Sequence, residues 1–277
     1  MLGVLLGTLS SLLFGVGDFV GGEAAKRIPA SSVVLWAGLL SFPFITVTAL
    51  VIGGSATWAD MAYGAVAGTA GAIGLVLLFV GLARGHAAAV SPASAAVMAV
   101  FPVTVAVILG ERPSLVAWLG VLIAIPAIVL CSWSATVGEV RLGGLWYGVA
   151  AGIGFGLYVV GISRTSEASN LLPLIPARMA TVAMVVTLAV GGVWRVRRFA
   201  TTPRGLVVSN GLLDVTGNVA FILGLRTGSL ALVSVVAATS PAVTVALAAA
   251  VNKESLRTRQ VIGLILVLVA LAMIILG

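Results

Sequence analysis

The chain has 277 residues, 61% hydrophobic and 8% charged, with a formal net charge of +7. A water-soluble domain carries about 45–50% apolar and about 25% charged residues, so a soluble globular enzyme is excluded and the solvent is lipid. The surplus of bases does not signal nucleic acid, because Lys and Arg stand singly between apolar runs, where they face anionic headgroups and fix topology.

A helix that crosses roughly 30 Å of hydrocarbon needs about 20 predominantly apolar residues. Ten stretches meet that length. The first, 2–22, has no basic leader and reads as a retained helix rather than a cleaved signal; it carries Gly15, Gly17 and Asp18. The second, 32–52, includes Trp36 and Pro43, and the third, 60–83, ends on Arg84 and a turn bearing His86, the single histidine. The fourth and fifth, 87–109 and 115–133, flank Glu111-Arg112-Pro113. The sixth, 144–163, has a ridge of Gly148, Gly152 and Gly156 and then Tyr158. In the seventh, 172–193, Arg178 follows Pro173 and Pro176; the eighth, 205–225, holds Asp214 and Asn218. The ninth and tenth, 229–251 and 259–276, flank Asn252-Lys253-Glu254. A barrel is excluded, since its strands would alternate apolar and polar residues over about 10 positions.

The halves repeat. A shift of 143 places Gly81-Leu82 on Gly224-Leu225, Val90-Ser91 on Val233-Ser234, Glu111 on Glu254 and Gly120 on Gly263, with 13 identities in the 50 positions from 81 to 130. Upstream, Gly68 and Gly74 fall on Gly211 and Gly217. In the first helices, a shift of 141 places Gly7, Phe14 and Gly15 on Gly148, Phe155 and Gly156. The expected fold is therefore all-α and integral to the membrane, ten helices as five plus five, with repeats spanning 1–138 and 139–277. Because five is odd, the second copy enters from the opposite side. Inverted repeats permit two related shapes, each open to one side, with a substrate site near the midplane.

Leu13-Phe14-Gly15, Ala177-Arg178-Met179, the run from Gly224 to Val233, and Ser240-Pro241 through Glu254 and Gly263 carry a resemblance to the drug/metabolite transporter superfamily and its EamA-type ten-helix members. The resemblance covers the whole chain. It implies export or uptake of small metabolites, often amino acids or related compounds, and draws attention to Arg178 and Pro241. The first half departs from the pattern, with Met98 at the Pro241 position and Trp36-Ala37 where an Arg178 counterpart would fall.

An ionisable side chain inside a span costs about 2.5–3.5 kcal/mol on insertion scales and so points to the bundle interior or a wet cavity. Asp214 and Asn218, four residues apart, share one helix face; together they suit an ammonium group, a cation or a proton, or else form a helix-to-helix hydrogen-bonded pair. Their first-repeat counterparts are Gly71 and Leu75, so the pair is not common scaffold. Asp18 either contributes from the other repeat or is wetted near the interface. Arg178 either grips a substrate carboxylate in a bidentate fork or snorkels to the surface. Tyr158 is deep enough to line a cavity, and His86 is either a proton-coupling group or a solvated loop residue. Glu111 and Glu254 read as local ion pairs or hinges.

No Walker-type loop, metal-spaced His/Cys cluster or Ser-His-Asp set occurs in the sequence. No catalytic residue, metal or cofactor is expected, nor nucleic acid; the expected partners are a small-molecule substrate and the bilayer, with a homodimer left open. The reading is a plasma-membrane secondary transporter, an exporter by alternating access with a proton as candidate coupling ion, its cavity lined by helices 1, 3, 6 and 8 with help from 7. Asp214, Asn218, Arg178, Asp18 and Tyr158 are the substrate-site candidates, and Asp214, Asp18 and His86 the proton-coupling candidates. A lipophilic-cation exporter, a lipid-handling protein and a non-transporting subunit are the alternatives. Loops after odd-numbered helices hold eleven Lys and Arg, those after even-numbered ones three, which places both termini outside by the positive-inside rule; the resemblance implies the reverse.

Overall fold

The structure is a computed structural model that describes residues 2–84, 86–108, 114–132, 142–227, 239–253 and 257–276. Glu111, Arg112, Arg141 and Glu254 lie outside the described residues. The helices are α1 (Leu2–Ala25), α2 (Ala30–Ile52), α3 (Trp58–Ala83), α4 (Ala87–Ile108), α5 (Leu115–Ser132), α6 (Leu142–Ser163), α7 (Leu174–Val190), α8 (Arg204–Thr227), α9 (Ser240–Asn252) and α10 (Thr258–Leu276). Single 3-10 turns at Glu167–Ser169 and Phe199–Thr201 precede α7 and α8. Among the described residues, five helices are long and apolar enough to cross a membrane by themselves: Leu2–Ala25, Ala30–Ile52, Trp58–Ala83, Gly144–Ser163 and Arg204–Gly224.

Local chemistry sets the ends. Gly53, at φ 72°, stops α2, because only glycine takes the left-handed region without steric cost. Thr57 and Asp60 open α3 with a capping box, each satisfying the other's backbone N–H. Helix α7, at 17 residues, is shorter than the expected 172–193 span. Pro173 fixes its start, and Gly191 followed by Gly192 at φ 74° unwinds its last turn. Of the expected 229–251 span, residues 228–238 lie outside the described set; the described part, α9, ends at Lys253 in the left-handed region.

Packing follows the repeat. Helix α1 lies along α8 as α6 lies along α3; α2 meets α8 as α7 meets α3; α1 meets α9 as α6 meets α4; and α5 pairs with its own counterpart α10. Equivalent residues make these contacts. Phe14 rests on Gly217, where a Cβ would come within 3.0 Å of the ring, and Phe155 rests on Gly74, where it would come within 3.0 Å of that ring. Gly211 meets the Ala37 carbonyl, and Gly68 meets that of Ala177. These are crossings that small residues make close enough for dispersion to hold in lipid, where no hydrophobic force drives helices together.

The connections alternate between two ends. Those after α2 and α6 join through Ser55 N–H donating to Ala168 O (2.8 Å) and Asn170 Nδ2 donating to Gly53 O (2.9 Å). Asp60 adds to this end by accepting from Ser166 N (2.6 Å). At the opposite end the α7–α8 connection straps onto α2, with Ser31 Oγ donating to Arg195 O (2.6 Å) and Trp36 Nε1 to Arg197 O (2.8 Å). Among the described residues, the expected architecture, all-α with ten helices in two inverted five-helix repeats, is the observed one.

Candidate functional site

One face of α8 carries Asn210, Asp214 and Asn218 at successive four-residue intervals. Asp214 stands ten residues past Arg204, about 15 Å along the 24-residue helix α8 and so near its middle. Gly211 brings that helix against α2, and Gly217 brings it against α1. Arg178 reaches in from α7, its stem passing Gly38, and donates through Nη2 to Asp214 Oδ2. The resulting ion pair is largely enclosed, with side chains 15% and 23% exposed. Asn218 donates to the Asp214 carbonyl (2.8 Å) and more weakly to Oδ1 (3.4 Å), steadying the carboxylate from one turn further on.

These groups border a cavity of about 20 Å³, room for a single water. Its polar lining is Asp18 from α1, Arg178 from α7, and Asn210 and Asp214 from α8; Phe14, Val34, Leu75 and Phe79 supply the apolar wall. Asn210 is 5% exposed, and its Nδ2 donates to Gly17 O at 2.9 Å, beside Asp18. Among the described residues, three polar groups here have no protein partner: the remaining guanidinium N–H groups of Arg178, the Asp18 carboxylate and the Asn210 amide oxygen. None of them is sealed from the cavity as a buried orphan. The site thus presents spare donors and spare acceptors to one small space. Two carboxylates and one guanidinium give it a formal charge of −1.

Asp18, Arg178 and Asp214 converge here, as the candidates of the sequence analysis. Asn218 supports Asp214 from outside the lining. Tyr158 is not in this lining; its ring packs on Gly71, where a Cβ would come within 3.1 Å of it, and it lies within electrostatic reach of Asp214 and Arg178. In this small cavity α6 contributes no lining residue, and α2 contributes Val34 and Ala37. His86 lies apart at the start of α4, its carbonyl accepting from Ala89 and Val90 and its side chain against Gly144. Asn210 was missed. The spacing that linked Asp214 forward to Asn218 also runs four residues back, and that was the available signal. Among the described residues no three His, Cys, Asp or Glu side chains group as metal ligands would.

The sequence pattern of the EamA-like transporter family matches residues 1–133 and again 142–276. A crystal structure, described only as that of a protein, shares 15% identity with a TM-score of 0.65 and covers 98% of this chain and 95% of its own. At that identity the likeness is one of fold. No curated protein matches the chain significantly.

Proposed function

Because the chain belongs to the EamA-like transporter family, and so is a multi-pass membrane transporter, we propose that it moves a small zwitterionic metabolite such as an amino acid. The observation that carries this reading is the pairing of spare Arg178 donors with spare Asp18 and Asn210 acceptors around one buried cavity. Arg178 meets the carboxylate, Asp18 the ammonium group, and Asp214 holds Arg178 in place until substrate arrives. A cavity that admits one water cannot hold a metabolite, so the repeats must rock apart to load it.

The formal −1 charge supports proton coupling. In a poorly hydrated site an unbalanced carboxylate is costly, so the empty state takes up a proton and substrate displaces it. Competition for one carboxylate makes the process an exchange, and an inward proton gradient at the plasma membrane then drives export. With the basic end cytoplasmic, an enzyme reporter fused after Gly277 lies outside and stays inactive as a cytoplasmic enzyme.

The second carboxylate and the rings of Phe14 and Phe79 also favour a lipophilic cation. Counterflow into proteoliposomes containing only this chain, with amino acids, nucleosides and lipophilic cations offered in parallel, separates the readings. Amino acid flux that Asp214→Asn loses supports the proposal; flux of lipophilic cations alone replaces it with the second reading. No flux from folded, inserted protein overturns both in favour of a subunit or lipid-handling role.

A further inference from the structure

Asn210 does two things with one amide. Its Nδ2 donates to Gly17 O, and the residue lines the cavity; with the nitrogen committed to the α1 backbone, the oxygen is the amide atom left for an occupant. That oxygen has no protein partner among the described residues, although the residue is 95% enclosed by the figure of 5% exposure. It is not a sealed orphan. An accessible acceptor without a protein partner can take a donor from whatever occupies the cavity. The neighbouring Asp18 supplies charge to the same spot, Gly17 being next in the chain.

We propose that Asn210 is the specificity-determining residue for the amine end of the substrate: its oxygen accepts a hydrogen bond from an N–H of a primary or secondary ammonium held by Asp18. The inference rests on the zwitterion reading above and adds a rule to it. Charge alone cannot separate a protonated amine from its N-trimethylated form, since both carry one positive charge. A hydrogen-bond acceptor can, because the trimethylated nitrogen has no N–H and leaves the amide oxygen unpaired in a desolvated site. Sites built to hydrogen-bond a group discriminate strongly against analogues that lack it. Asp18 then sets affinity for positive charge, and Asn210 sets which cations qualify.

The test is counterflow of leucine, N-methylleucine and N,N,N-trimethylleucine by the wild-type chain, Asn210→Leu and Asn210→Asp. Leucine keeps the branched shape of asparagine without the acceptor; aspartate keeps shape and acceptor, gives up the donor to Gly17 and adds a negative charge that leucine and its trimethyl form feel alike, so the ratio and not the affinity is compared. The wild type should favour leucine over the trimethyl compound at least tenfold, with N-methylleucine on the accepted side. Asn210→Leu should bring that ratio within about twofold, and Asn210→Asp should preserve it. A residue that merely ties α8 to α1 would make the two variants fail alike, with the ratio unchanged in whatever flux is left. Equal wild-type transport of leucine and its trimethyl form overturns the proposal and leaves the zwitterion reading standing. Lipophilic-cation flux with none of the three compounds overturns both. If Asn210→Leu does not fold, Asn210→Ala takes its place with the same expected fall of the ratio to within about twofold; a ratio that stays at tenfold or more without the amide oxygen overturns the proposal.

Discussion

The crossing of α1 on α8 and its counterpart, α6 on α3, agree at one level and disagree at the next. Where they agree, Phe14 sits on Gly217 and Phe155 on Gly74. One turn on, α1 offers Gly17 to the backbone beside Asp214 of α8, whereas α3 offers Gly71 to the ring of Tyr158 on α6. Glycine has changed sides between the copies. At one crossing the freed space is a cavity bordered by charge; at the other an aromatic ring fills it. The duplicated scaffold therefore supplies a hinge-like symmetry of helices, and the divergence at a single level supplies the site.

The shared part of this comparison should break most heavily. Gly68→Val and Gly211→Val each drive a side chain into a backbone carbonyl, of Ala177 and Ala37 respectively. Both should lose about 3 kcal/mol or more, read as loss of folded protein in detergent, with the greater loss at Gly68, where the added Cβ would come closer to the carbonyl oxygen than the 2.7 Å it would reach at Gly211. Next come Asp214→Leu and Arg178→Leu. Removing either partner strands the other in a largely enclosed site, for about 2–3 kcal/mol, and should abolish counterflow; Gly71→Ala, at the corresponding level of α3, should leave counterflow within a few-fold of wild type.

Phe14→Ala and Phe155→Ala sharpen the contrast. Their stability losses should agree to within about 1 kcal/mol, because both rings lie on a glycine. Only Phe14 borders the cavity, so only its variant should raise KM, by about three- to tenfold. The smallest effect belongs to Thr57→Ala, which removes the α3 cap for about 1 kcal/mol and should lower the melting temperature while KM stays fixed.

Much of this arrangement was legible in the residues. Composition demanded lipid, span length gave the helices, and Phe14 with Phe155 and Gly74 with Gly217 already announced which helices would cross. Asp214 stood out because charge within a span is costly. The pairing of Arg178 with Asp214 was not legible, since the two lie 36 positions apart on different helices and only the crossing geometry joins them. The packing of Tyr158 on Gly71 was not legible for a related reason: depth in a span is readable from sequence, but the direction a ring faces depends on which neighbour carries the glycine. Asn210 went unnoticed because the four-residue spacing from Asp214 was followed forward to Asn218 and not back along the same face.

The measurement that bears most directly on the account exchanges the two charges, Arg178→Asp together with Asp214→Arg, and follows melting temperature and leucine counterflow in the same preparations. If the pair is a substrate site, the double variant regains stability lost by each single reversal but carries no leucine, because the carboxylate-binding fork has moved to the wrong helix. Recovery of counterflow along with stability would mean that the pair is only a strut between α7 and α8.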